Sequence, residues 1–97
     1  MLNSKQRSNL KSIAANLSPI AQLGKGGVSE NMVRSLSDAL EAHELIKINV
    51  LTNAEEDAKA LGAQLADALK GECVAVIGRK IILYRRSSRK DFDHIVF

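Results

Sequence analysis

Tryptophan is absent, and Tyr84, Phe92 and Phe97 are the only aromatic residues in the chain. That scarcity argues against a single-strand binder built on stacked aromatic platforms. Cys73 is the sole cysteine, so an internal disulfide and any multi-cysteine zinc site are excluded. Its apolar neighbours make it read as a small buried hydrophobe. No apolar stretch approaches membrane-spanning length, and the N-terminal residues lack the apolar core of a signal peptide. The expected address is the cytoplasm, without membrane contact. No internal repeat, low-complexity segment or linker interrupts the 97 residues, which suffice for one core and leave no room for a second. An apolar share of 45% is ordinary for a globular domain and argues against disorder.

What stands out is Gly24-Lys25-Gly26-Gly27, set between the short apolar run Ile20-Ala21-Gln22-Leu23 and a helix start at Val28-Ser29-Glu30. Three glycines in four residues leave the main-chain N–H groups uncrowded, and glycine reaches positive φ without penalty. Against a helix N-terminus, such a loop can hold a phosphate with backbone donors and the positive end of the helix dipole. Lys25 adds a mobile cation at the tip. The segment is not a Walker loop, because Lys25 is followed by Gly26 and Gly27 and no hydroxyl is placed for a magnesium ion. Nor is it the dinucleotide fingerprint, because position 29 is a serine. A Gly-x-x-Gly loop that clamps a nucleotide backbone, as in KH domains, is the nearest mechanical match. A plain strand-to-helix turn would account for the same four residues, so the charge around the loop matters.

That charge is unevenly spread. Residues 1–29 carry Lys5, Arg7, Lys11 and Lys25 and no acid; residues 30–77 carry four bases against nine acids. Residues 78–97 carry Arg79, Lys80, Arg85, Arg86, Arg89 and Lys90 against two acids. The overall +3 thus hides two basic ends and an acidic middle, a pattern that orients a molecule towards a polyanion.

Apolar periodicity predicts a helix over residues 4–17 through Leu10, Ile13, Ala14 and Leu17, ended by Ser18-Pro19. A short strand at 20–23 follows. Ser29 reads as the N-cap of a second helix with Val33, Leu36 and Leu40 inward. Residues 45–51 alternate, Ile46, Ile48 and Val50 against Lys47 and Asn49, as a strand with one buried face. Thr52 and Glu55 match a capping box for a third helix with Ala58, Leu61, Leu65 and Leu69 inward, and Gly71 stops it. Strands at 73–77 and 81–85 join around Gly78-Arg79-Lys80 as a hairpin. The expected class is α/β: one small domain in the order α-β-α-β-α-β-β, a four-stranded mixed sheet packed with three helices. Both faces of the last two strands are apolar, so something must cover the second one. The first helix, the terminal Ile95-Val96-Phe97 or a partner protein would serve.

Gly24-Lys25-Gly26-Gly27 with Val28-Ser29-Glu30-Asn31 resembles the signature loop of the CRM family, the chloroplast RNA splicing and ribosome maturation domain. Leu40-Glu41-Ala42-His43-Glu44-Leu45-Ile46-Lys47-Ile48, the opening Lys5-Gln6-Arg7 with Leu10, and Ile81-Ile82-Leu83-Tyr84-Arg85 fit the same pattern. The resemblance covers residues 2 to about 86 and is nearest to the small stand-alone bacterial members. It implies a domain at 1–86, a tail at 87–97 of unassigned role, and the fold read above. It also implies RNA contact through the Gly-x-x-Gly loop and the basic surface around it, with 23S ribosomal RNA of large-subunit precursors as the expected partner.

Catalytic readings are weaker than structural ones. His43 sits near a helix end, where a cation favours the dipole. His94, with Asp91 and Asp93, lies in a polar tail with no further metal ligand evident. Glu55-Glu56-Asp57 opens a helix, where negative charge is favoured for structural reasons. No metal, cofactor or small-molecule substrate is expected, and no enzyme. The expected RNA-binding set is Gly24, Lys25, Gly26 and Gly27 with Lys5, Arg7, Lys11, Arg79, Lys80, Arg85 and Arg86. The competing expectation is a protein-interaction adaptor that uses the acidic helices or the apolar strand face.

Overall fold

Asn3 accepts from the Gln6 N–H while the Gln6 side chain accepts from the Asn3 N–H, and this reciprocal cap starts helix α1, Ser4–Ala14. The computed structural model describes residues 2–97. Helix α1 ends one turn before the expected stop. The Asn16 and Leu17 N–H groups donate to the carbonyls of Ile13 and Ala14, three residues back. The chain has therefore already tightened out of the α ladder before Pro19 forces it extended.

Strand β1, Ala21–Leu23, leads through the glycine loop to α2, Glu30–His43, whose cap is Ser29 as expected. Strand β2, Leu45–Val50, follows a left-handed turn at Glu44, φ 65°. Helix α3, Ala58–Leu69, is not opened by a Thr52–Glu55 box. Residues 51–54 close a turn, with the Ala54 N–H on the Leu51 carbonyl, and the cap is Asp57, whose carboxylate accepts from the Ala60 N–H at 2.8 Å. Of the three acids at 55–57, only Asp57 caps the helix.

The end of α3 also differs from the expectation. Lys70 is the left-handed residue, φ 55°, and Gly71 follows it with its N–H on the Ala66 carbonyl. Glycine is needed at 71 for space: a Cβ there would stand 2.9 Å from the Tyr84 carbonyl oxygen.

Strands β3, Glu72–Ile77, and β4, Lys80–Tyr84, form the expected hairpin. The sheet order is β1-β2-β4-β3, with β1 parallel to β2 and β4 antiparallel to both its neighbours. Thus α3 carries the chain over β4 from β2 to β3, a split β-α-β unit. The four-stranded mixed sheet and three helices agree with the order read from the sequence.

Two cores fill the two faces. On the inner face α2 and α3 pack Leu36, Leu40, Leu61 and Leu65 against Ile46, Ile48, Ile81 and Leu83. On the outer face Leu10 and Ala14 of α1 join Leu45, Val74, Ile82 and Tyr84, with Leu2, Ile95 and Phe97 packed against them. The second face is therefore covered over the Tyr84 half by α1 and residues 95–97, and the Phe97 ring meets Tyr84 edge-on at 5.0 Å. This corrects the one-faced reading of β2. The alternation holds, but α1 crosses the polar side, so Lys47 is only 9% exposed.

Residues 87–97 are anchored as well as packed. The Glu44 carboxylate, with no exposure to solvent, accepts from the Ser87 N–H at 2.7 Å, the Ile95 N–H at 2.8 Å and Nδ1–H of His94. His94 is thus an internal donor rather than part of a solvated tail. Glu41 accepts from Ser88 and Arg85 next to it.

Burial would raise the Glu44 carboxyl, but the His94 side chain and the two backbone donors outweigh it and hold it below its ordinary value. Glu41 is likewise lowered, first by its Ser88 hydrogen bond. A depressed folded-state value means that the stabilisation is complete above the ordinary carboxylate range and is lost as pH falls through the folded value. Acid titration followed by near-UV circular dichroism of Tyr84 is expected to show this loss below the ordinary carboxylate range. Glu44→Gln replaces one acceptor oxygen by a donor, and it should lower stability by about 2 kcal/mol and Tm by roughly 10 °C. A Glu44→Gln melting curve matching wild type would contradict the anchoring role. Gly71→Ala forces a Cβ towards the Tyr84 carbonyl and should cost about 1–3 kcal/mol in denaturant unfolding.

Candidate nucleic-acid interface

Parallel pairing of β1 with β2 puts the glycine loop at the end of the sheet where β2 finishes. The β3–β4 turn reaches the same end, because Asn49 pairs with Lys80 and the Val50 N–H donates to the Arg79 carbonyl at 2.7 Å. The Leu51 N–H joins the two through the Leu23 carbonyl at 2.7 Å. Three loops therefore converge there: residues 24–29, 51–57 and 78–79.

Within the first loop the Gly27 N–H closes a turn on the Gly24 carbonyl at 3.0 Å, and Gly27 has φ 62°, where a side chain would be strained. At Gly26 an added Cβ would meet nothing within 4 Å, so the main chain lies open to an approaching group. Lys25 is exposed, and Ser29 caps α2 immediately after. The arrangement offers backbone donors, a helix start and one mobile cation to an anion. One side of the loop is acidic. A 150 Å³ cavity behind it is closed by Glu55, Glu56 and Gln64, with Gln64 bonded to Glu56. Lys25 lines that cavity too, so its charge faces both the acids and solvent. The same acidic segment lines the space next to Arg79, so residues 55–57 separate the loop from the hairpin turn on the inner side of the sheet.

Not all of the remaining cations gather at this end. Arg7 donates to the Cys73 carbonyl at 2.7 Å and pairs with Glu72 at 3.3 Å, fastening α1 to the edge strand β3. Arg85 donates to the Leu69 carbonyl at 3.0 Å, the Ser37 carbonyl at 2.9 Å and the Ser37 hydroxyl, and pairs with Glu41. Both guanidinium groups serve the fold, which a charge count along the sequence does not distinguish from a free surface. Arg86 is exposed but follows Arg85 at the far end of β4, and Lys5 is exposed on the first turn of α1. Lys80 and Lys11 border one groove on the outer face of the sheet, and Lys47, assigned to solvent by its alternation, lines it too.

No group of three or more His, Cys, Asp or Glu that could hold a metal occurs among the described residues. Burial pushes the Cys73 thiol up, against a smaller pull from Arg7, which is the opposite of an activated nucleophile. Among the described residues no helix is long and apolar enough to cross a membrane.

Known proteins share this arrangement. The model of the CRS1 / YhbY (CRM) domain matches residues 2–85. YqeI of Bacillus subtilis, named as a probable RNA-binding protein, is 46% identical over 90% of this chain and 91% of its own. A Haemophilus influenzae protein named as an RNA-binding protein is 34% identical over 89% of this chain and 87% of its own. In CRS2-associated factor 1 of Arabidopsis thaliana the similarity is 29% over 87% of this chain but 12% of that one. The solution structure of the hypothetical protein SAV1595 from Staphylococcus aureus superposes with a TM-score of 0.79 at 46% identity, covering 94% of this chain and 95% of that one. With the fold, the glycine loop and this span of similarity in agreement, the chain belongs to the CRS1 / YhbY (CRM) domain family.

Proposed function

We propose that this chain is a non-enzymatic RNA-binding module, that it grips the phosphodiester backbone with residues 24–27, and that its RNA is 23S ribosomal RNA in cytoplasmic large-subunit precursors. The observation that carries the reading is the loop geometry: Gly27 at φ 62°, open space at Gly26, and exposed Lys25 beside the capped start of α2. Relatives named as RNA-binding proteins support RNA as the polyanion. The likeness to small stand-alone bacterial CRM proteins supports the ribosomal precursor. With few aromatic rings to stack on bases, recognition rests on backbone and RNA shape. Lys25, Arg79, Lys80 and Lys11 are the cations we assign to the surface, with Lys5 and Arg86 as outlying charges. Arg7 and Arg85 are left out, because their donors are engaged within the fold. Of the apolar strand face that the adaptor reading would use, α1 and residues 95–97 cover the Tyr84 half.

Lys25→Ala with Gly26→Asp should leave Tm unchanged and weaken RNA binding by roughly tenfold or more, since a charge-assisted contact is replaced by repulsion. Gel-shift titration beside thermal melting checks this, and wild-type affinity in a normally melting double variant overturns the loop assignment. If about five phosphates are held, log K should fall against log salt with a slope of roughly −3.5 for a single strand. In a sucrose gradient of a cell lysate the protein should sediment with incomplete large subunits, and the loop variant should stay at the top. Sedimentation of both in the free pool counts against the ribosomal precursor.

A further inference from the structure

The outer face of the sheet is covered over only part of its length. Helix α1 and residues 95–97 seal the Tyr84 half, whereas the half nearest the glycine loop is covered less completely: Ile82 is buried there but Ile77 is 48% exposed. There a groove of 260 Å³ has Ile77, Ile82 and Ala15 as its apolar lining and Lys11, Lys47 and Lys80 as its cations, with no acid in its wall.

Lys47 is the unusual member. Its stem is buried and the residue is 9% exposed, while its ammonium, without a hydrogen-bond or ion-pair partner among the described residues, reaches solvent in the groove. With its stem packed and its head in water, such a lysine keeps its donors for an anionic partner. Nothing in α1, β2 or β4 supplies one: the charged side chains lining the groove are themselves lysines. Lys80 is only partly engaged, with its Nζ on the Asn49 side-chain oxygen at 3.2 Å, so it keeps donors to spare. The site thus gathers three lysines with donors to spare beside the exposed side chain of Ile77.

The register connects this groove to the loop. Gln22 pairs with Asn49, and Asn49 with Lys80, forming a polar row across the outer face two residues before Gly24 in the chain. In the next row Lys47 pairs with Ile82. A strand of RNA leaving residues 24–27 on the Lys25 side therefore meets the polar row and then the lysines. On the inner side it would meet Glu55 and Glu56.

Resting on the RNA-binding reading above, we propose that this groove is a second nucleotide subsite. The exposed Ile77 side chain receives one base without selecting its identity, and Lys47, backed by Lys11 and Lys80, holds the adjoining phosphate. The loop and the groove together fix the direction of a single strand across the outer face. A purely phosphate-gripping loop would leave that direction undetermined.

The test uses the full chain and a short single-stranded oligouridylate carrying 4-thiouracil. Lys47→Met keeps the apolar stem and removes the charge. It should weaken binding roughly tenfold and make the salt slope shallower by about 0.7 for the lost phosphate contact. Crosslinks should map to residues 77–82 and 11–15 as well as to 24–28. If Lys47→Met fails to fold, the double variant of the exposed lysines, Lys11→Met with Lys80→Met, should reproduce the loss. Unchanged affinity and slope in the groove variants, with loss only in the Lys25→Ala, Gly26→Asp variant, overturn the subsite and leave the loop standing. Loss in the groove variants alone keeps the subsite and removes the loop. A wild-type chain that ignores the oligouridylate, or prefers a polyglutamate peptide, overturns both.

Discussion

A carboxylate sealed from water needs donors, and Glu44 takes them from three points of one later segment: the Ser87 N–H, the His94 ring and the Ile95 N–H. Glu44 stands at the junction of α2 and β2 in a left-handed turn, so it belongs to the frame of the inner core. By holding residues 87–95 it brings Ile95 and Phe97 onto the outer face, where α1 buries only Leu10 and Ala14 of its own. The outer core therefore depends on a polar cluster beside it. Removing the charge there would leave Tyr84 and Val74 with a looser cover.

Arg85 strengthens the same end of the molecule. Its guanidinium reaches the carbonyls that α3 leaves open at Leu69 and that Ser37 presents on α2, so β4 is fastened to both inner helices. Arg7 does the equivalent for α1 and the edge strand β3. Hydrogen bonds from a charged donor to carbonyls in partly buried sites are stronger than exposed ion pairs. That distinction explains why these two arginines hold the fold while lysines of similar position along the chain remain available.

The result is a molecule with two unlike ends. One is closed by Glu41, Glu44, Arg85 and the returning segment. The other carries the glycine loop, the hairpin turn and the less covered half of the outer face, bordered by Lys11, Lys25, Lys47 and Lys80. The acids at 55 and 56 lie behind the loop, so the favourable field for a polyanion is on the outer side.

Periodicity carried most of the architecture. Leu36 and Leu40, or Leu61, Leu65 and Leu69, recur at helical spacing because a helix that must bury one stripe has no other way to place them. The alternation of Ile46, Ile48 and Val50 in β2, the cap at Ser29 and the hairpin at Gly78 are equally local, and the loop at 24–27 was legible from its glycines alone. Features that depend on what lies across space were not legible. Thr52 and Asp57 are both acceptable caps, and the choice fell to Asp57 because residues 51–54 turn back on themselves. Gly71 reads as a helix stop, yet the Tyr84 carbonyl of β4, 2.9 Å from where a Cβ would stand, is what requires it. His94 looks solvated until Glu44 is seen opposite it. A period of two places Lys47 opposite the apolar side of its strand, but it cannot say that α1 will cross above it, because a strand's alternation records two faces and not their neighbours. Charge along the chain likewise located the basic segments, while packing chose which of those cations would be spent inside the protein and which stay at its surface.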